Sequence, residues 1–175
     1  MSATRKPANA QPQTIEAVEF REAMSRVASP VSVVTTDGPA GRAGFTCTAF
    51  ASVSDAPPTV LACLSRASRS APPFRENRVF AISLLPMRLQ ALADRFSGLD
   101  GTPLAERFTP TGWEVGGSGA PLLTEALASF DCRLEDLQEI GSHQVMIGRV
   151  LSVRLGAADP PLFYHRRGYR SFDGA

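Results

Sequence analysis

Two short stretches of this chain group hydroxyls, arginines and small residues in a way that suits a phosphate-bearing ligand. Ser65-Arg66-Ala67-Ser68-Arg69-Ser70 runs almost directly into Pro72-Pro73, and proline is tolerated in the first turn of a helix. Hydroxyls, loop N–H groups and two guanidiniums ahead of a helix start make an anion cradle. A basic surface loop would carry the same residues. Upstream, Thr46, Thr48, Phe50, Ser52 and Ser54 share one parity of an extended pattern, against Phe45, Cys47, Ala49, Ala51 and Val53 on the other. A row of hydroxyls beside one large aromatic suits a polar ligand lying along a sheet, with the small residues allowing close approach. A solvated strand face rich in threonine and serine looks the same.

Two other places carry weaker signals. His143 follows Gly141-Ser142 at the start of a strand pattern, a position that suits the mouth of a barrel, although a lone histidine is more often structural. The stretch Leu162-Phe163-Tyr164-His165-Arg166-Arg167-Gly168-Tyr169-Arg170 joins aromatics to a basic cluster. It reads either as an exposed basic turn or as a rim that contacts a nucleotide by stacking and charge.

Other catalytic templates fail. The sequence contains no GxSxG elbow, HExxH pair or Walker loop. Gly38 to Gly44 has GxxGxxG spacing and leads into a strand pattern, so a hairpin turn is expected there and not a dinucleotide fingerprint. Glu135 and Asp136 are adjacent in a strand pattern and face opposite ways, which does not make an acid–base pair. Cys47, Cys63 and Cys132 stand singly, and with only two histidines a metal centre is not expected.

The elements that must position these residues are mostly strands. A helix is expected through Phe20, Ala23, Met24 and Val27, with Thr14 as its N-cap. Strands are expected over 30–36, over a long run from Arg42 to Ser54, and over 59–64. A short helix opens at Pro72-Pro73, residues 79–85 read as a buried strand, and a second helix after Pro86 has Leu85, Leu89, Leu92, Ala93 and Phe96 on one stripe. Residues 97–121 look like an extended excursion rich in glycine and proline. Long strands over 126–139 and 143–155 and a hairpin-like end over 162–172 complete the pattern. Few helices, not alternating with strands, argue for a mainly β fold: an antiparallel barrel with flanking helices.

The 175 residues suit one domain over 15–175, preceded by a polar arm over 1–14 that reads as disordered. A formal net charge of +1, from 18 basic and 17 acidic residues, gives no reason to expect nucleic acid or an anionic membrane as partner. No signal peptide or membrane-length apolar run is visible, so a cytoplasmic protein is expected.

The ordered landmarks are also those of a known family. Phe20-Arg21-Glu22-Ala23-Met24, Val33 to Gly38, Gly44 to Ser54 and Pro57-Pro58 resemble the short-chain flavin reductase family. So do Ser68-Arg69-Ser70, Arg95-Phe96, Gly119 to Leu123, Asp131-Cys132, Gly141-Ser142-His143, Pro161 to Tyr164 and Gly168-Tyr169, over about residues 18–172. Val34 to Thr46 is especially similar to the pyrimidine-utilisation branch. The resemblance implies a homodimeric, Greek-key FMN-binding split barrel in which NADH reduces FMN, with FAD as an alternative flavin. Reduced flavin then goes to a partner flavin-dependent monooxygenase.

It further implies that Thr46, Cys47, Thr48, Ala49, Phe50, Ser52 and Ser54 contact the flavin ring and ribityl chain. Ser68, Arg69 and Ser70 would hold the phosphate, Tyr169 would lie near the flavin, and His143 would act on the nicotinamide side. Many relatives have Gly-Asp-His where this chain has Gly141-Ser142-His143; that loss bears on the choice between NADH and NADPH, as do Arg166, Arg167 and Arg170. A flavin carrier with little turnover is the alternative. An oxidase of the pyridoxamine-phosphate type shares the barrel but not the Ser-Arg-Ser and Gly-x-His landmarks.

Overall fold

The computed structural model describes residues 14–109 and 112–172. The expected polar arm lies almost wholly outside them. In chain order come α1 (Ala17–Ser25), β1 (Ser29–Pro30), β2 (Ser32–Thr36), β3 (Ala43–Cys47), β4 (Phe50–Asp55), β5 (Pro58–Ser65) and α2 (Ala71–Asn77). There follow β6 (Val79–Leu84), a 3₁₀ turn at Met87–Leu89 leading into α3 (Gln90–Ser97), β7 (Trp113–Val115) and β8 (Pro121–Leu123). Last are β9 (Ala128–Ile140), β10 (His143–Leu155), β11 (Phe163–His165) and β12 (Gly168–Arg170).

Seven strands form one antiparallel sheet in the order β3-β2-β6-β9-β10-β5-β4. Its edge strands β3 and β4 are consecutive in sequence, so the chain leaves one edge and joins the other through a bend at Thr48-Ala49. The Cys63 N–H of β5 donates to the Ala49 carbonyl (3.1 Å), carrying the β4–β5 pairing back to the bend; the two-residue connection between the edge strands holds them close and curls the sheet into a barrel. Two irregularities in the β9–β10 register, at Ile147/Gly148 and Val150/Ser152, assist the curl because a bulge sharpens local twist.

The expectation of one strand from Arg42 to Ser54 is therefore corrected. The physical reason is the change of pairing partner, β2 for residues 43–47 and β5 for residues 50–55. Parity does not survive the bend, so Phe50, Ser52 and Ser54 do not continue the face that carries Thr46.

The core has two main parts. Inside the barrel Val34, Phe45, Leu64, Phe80, Ile82 and Met146 are buried with Phe74 and Ala71 of α2, and Phe45 meets Phe74 edge to face at 5.3 Å. α2 opens on Ala71-Pro72-Pro73, with both prolines in its first turn, as the sequence pattern requires. Outside, α3 buries Leu92, Ala93 and Phe96 of the expected stripe against Val31, Val33, Leu85 and Leu123. Gly44 permits this contact: a Cβ there would lie 2.5 Å from the Phe96 ring.

α1 differs from expectation. Its N-cap is Glu16, not Thr14, and none of its nine residues is buried. The amphipathic stripe exists, but Phe20 (54%), Met24 (48%) and Val27 (47%) stay exposed because no described element packs over them. Among the described residues no helix is long and apolar enough to cross a membrane.

Candidate functional site

The bend between β3 and β4 opens a cavity of about 830 Å³, within the range of small-molecule sites. One wall is Phe45 to Ala49 with Cys63 to Ser65 of β5; the floor and lip are Ala67 to Ser70 and His143. The far wall is the end of α3 and the excursion after it, including Gly98, Thr102, Leu104 and Arg107. That excursion is held down by an aromatic cluster. Phe96, Phe108 and Trp113 pack with ring centroids 5.0–5.6 Å apart, and the Trp113 indole donates to the Phe108 carbonyl (2.9 Å).

Each expected site residue has a definite place. Thr46, Cys47, Thr48, Ala49, Ser68, Arg69, Ser70 and His143 all line the cavity. Phe50, Ser52, Ser54 and Tyr169 do not. The Phe50 ring packs 5.5 Å from Phe130, Ser52 is exposed on β4, and Ser54 Oγ accepts from the Ala56 N–H (3.2 Å). Tyr169 sits edge-on to Tyr164 at 5.5 Å and packs on the cluster beneath α3; burial, with the nearby Asp94 carboxylate, pushes its phenol up to about 12.

The loop before α2 is shaped by its own hydrogen bonds. Ser70 Oγ donates to the Gly44 carbonyl (2.9 Å), tying the loop to β3. Ser68 Oγ accepts from the Ser70 N–H (3.2 Å) and keeps its own proton for a ligand. The Arg66 N–H donates to the Ser142 carbonyl (3.0 Å) and its guanidinium to the Gly141 carbonyl (3.2 Å), which locks the loop to the β9–β10 turn. That turn sets His143, which pairs with Ser65 across the β10–β5 register. Its Nδ1 lies 2.9 Å from Ser142 Oγ.

Electrostatics gives the cavity its character. Among the described residues no aspartate or glutamate lines it, whereas Arg69 and Arg107 do. Arg107 is part-buried and held by the Phe96 carbonyl (3.0 Å) and the Thr102 carbonyl (3.3 Å). Burial lowers its pKa, and Arg69 adds to that effect while Asp100 opposes it. Gly98 at φ +83° leaves the room that Arg107 needs, since a Cβ there would lie 2.9 Å from Nη2. Two like charges facing one cavity without a carboxylate between them favour an anion there.

The thiols in the wall are inert. Burial pushes Cys47 up to about 11 and raises Cys63, so both are protonated at neutral pH and neither is a nucleophile. The site can bind and orient; it offers no protein nucleophile.

Sequence reading missed Arg107, Thr102 and Leu104. They lie in the glycine- and proline-rich excursion, where no periodicity says which side chain turns inward. The basic C-terminal stretch goes elsewhere. β11 and β12 form a hairpin whose two turn residues, Arg166 and Arg167, both have positive φ. The Arg166 N–H donates to the Ser25 carbonyl (2.6 Å), and Arg167 pairs with Glu22 of α1 (2.9 Å).

Comparisons with known proteins agree with this geometry. A family model described as "Flavin reductase like domain" matches residues 24–173. "FMN reductase (NADH) RutF" of Enterobacter sp. (strain 638) is 40% identical over 158 residues, 90% of this chain and 95% of that protein. The structure of BorF, the flavin reductase component of a bacterial two-component tryptophan halogenase, superposes with a TM-score of 0.84 at 29% identity, covering 91% of this chain and all (100%) of that one. NADH:FAD oxidoreductase SgcE6 of Streptomyces globisporus C-1027 superposes with a TM-score of 0.83 at 29% identity, over 97% of this chain and 100% of that one. The chain belongs to the flavin reductase-like domain family.

Proposed function

We propose that this protein is an NADH-dependent flavin reductase that reduces FMN and supplies the reduced flavin to a flavin-dependent monooxygenase. The observation that carries the reading is a cavity lined by Arg69, Arg107 and Ser68 and, among the described residues, by no carboxylate, in a chain of this family. A flavin monophosphate fits that donor set. Ser68, Arg69 and Arg107 would hold its phosphate, and the small residues from Thr46 to Ala49 would face its planar ring. When bound, the flavin would supply the redox chemistry as the hydride acceptor.

This chain's own residues bind and orient. Ser68 and Arg69 anchor the phosphate, and the Thr48-Ala49 bend leaves backbone exposed for close approach to the ring. His143, exposed at the lip, positions the nicotinamide.

The working unit is a homodimer. Its support is the apolar surface left bare on α1 (Val18, Phe20, Met24) and its flanks (Ile15, Val27) and on β10 (Leu151, Val153, Leu155), more than single scattered residues need. Free thiols at Cys47, Cys63 and Cys132 suit a reducing cytoplasm.

The decisive experiment follows NADH oxidation with added FMN or FAD. Turnover well above background is expected, highest with FMN. If the protein binds flavin but neither flavin supports NADH oxidation, it is a carrier and the reductase reading fails.

A further inference from the structure

Two loops from different parts of the chain meet at the lip of the main cavity. Residues 66–70 bring Ser68 and Arg69 ahead of α2, and the turn between β9 and β10 delivers His143. That turn has two residues, Gly141 and Ser142, because Ile140 and His143 form the last cross-strand pair. Gly141 has φ +56°. In a turn this tight, whatever fixes Gly141 and Ser142 also fixes the residue that follows them.

Arg66 does this from the opposite loop. Its N–H takes the Ser142 carbonyl and its Nη1 the Gly141 carbonyl, so it holds both carbonyls of the turn. Its Nη2 lies 3.1 Å from Glu139, near the end of β9. The other oxygen of Glu139 lies 2.6 Å from Arg75 on α2. One carboxylate thus joins the phosphate loop, the helix that follows it and the strand that leads to the turn. The hydrogen bond from Arg75, and then the charge of Arg66, hold the Glu139 carboxyl below the usual carboxylate range, so the bridge is charged at neutral pH.

Stability does not account for this arrangement. All three side chains are about half exposed, and exposed ion pairs add little to folding. Their geometry is nonetheless specific. Arg66 gives one terminal nitrogen to the turn and the other to Glu139, a division that the planar fork of arginine allows and a lysine does not.

We infer that Glu139 is a positioning residue for hydride transfer, which through Arg66 and Arg75 holds the His143 turn in register with the phosphate loop. The inference rests on the reductase reading. Glu139 does not line the main cavity, so it acts only through His143. Transfer between two bound rings is steep in distance, and a misplacement of about 1 Å can cost roughly 10²-fold.

The test uses the full chain with Glu139→Gln, Arg66→Lys and Arg75→Lys, none of which alters the lining of the main cavity. Stopped-flow reduction of bound FMN by NADH reads the transfer step, and fluorescence titration reads FMN affinity. Glu139→Gln and Arg66→Lys should slow reduction by about five- to tenfold, part of what misplacement can cost. FMN affinity should stay within about twofold and Tm within about 1 °C of wild type, as for loss of an exposed pair. Arg75→Lys keeps the contact with Glu139 and should keep the rate. In a His143→Ala background Glu139→Gln should add no further loss, because the two act in series. In flavin-free protein, the NMR ring signals of His143 should shift or broaden in Glu139→Gln, while those of His165, the other histidine, stay fixed.

An unchanged reduction rate, equal losses of rate and FMN affinity, a full further loss in the His143→Ala background, or unmoved His143 signals overturn the inference. Wild-type reduction of FMN by NADH is measured first. Its failure sinks the reductase reading and this inference with it, whereas its success beside insensitive variants sinks only the role of Glu139.

Discussion

The loop before α2 and the C-terminal hairpin look alike as composition and behave differently as structure. Each combines arginines with groups that bind nucleotides, hydroxyls in residues 65–70 and aromatics in 162–170. Arg69 opens on a cavity with no carboxylate in its lining. Arg167 instead meets Glu22, and the hairpin's backbone is bonded to the end of α1. The lesson is that basic residues mark a site where the fold leaves their charge uncompensated. An exposed pair such as Arg167–Glu22 is worth at most about 1 kcal/mol and asks for no ligand.

Parallel substitutions in the two regions break or confirm this contrast most directly. Replacing Ser68 and Arg69 together by alanine should weaken FMN binding by about 1–3 kcal/mol, the range for charged hydrogen bonds, or roughly 5- to 150-fold. The same change at Arg166 and Arg167 should leave FMN affinity untouched. Equal effects in both regions, measured by fluorescence titration, would remove the distinction.

A smaller effect separates binding from turnover inside the cavity region. His143→Ala should slow NADH oxidation about tenfold, equivalent to about 1.4 kcal/mol on the barrier, with little change in FMN affinity. Stopped-flow reduction of the bound flavin reads this step alone. Equal losses of binding and rate would make His143 a structural residue of the β10 entrance.

The smallest expected effect concerns the hairpin itself. Arg167 has φ +59°, a region that costs a non-glycine residue about 1 kcal/mol. Arg167→Gly relieves this and gives up the pair with Glu22, so stability should rise by about 0.5 kcal/mol, near 1–2 °C in Tm for a chain of this size. FMN affinity should not change. A stabilised hairpin with altered flavin binding would show that this turn reaches the site after all.

Much of the fold was legible because local chemistry settled it. The prolines of α2, the Leu92-Ala93-Phe96 stripe of α3 and the alternating runs of β9 and β10 each announce an element without help from the rest of the chain. The break at Thr48-Ala49 was not legible. β-branched and small residues continue evenly through it, and the bend exists only because residues 50–55 find β5 to pair with. The site divided along the same line: Thr46 to Ala49 and Ser68 to Ser70 reach the cavity, and Phe50, Ser52 and Ser54 do not. α1 shows the converse case, where an amphipathic stripe was readable but its burial was not, since periodicity gives a face without saying what covers it.

The sequence by itself therefore determined the strand-rich class, the order of the elements and the hydroxyl–arginine loop, because these depend on residues near one another in the chain. Only the tertiary structure decided which arginines remain without acids, that Arg107 crosses from the excursion to face Arg69, and that Gln144 lies under α2. The physical reason is that charge compensation and burial are relations between distant residues. Closure of the barrel sets them, and spacing along the chain does not.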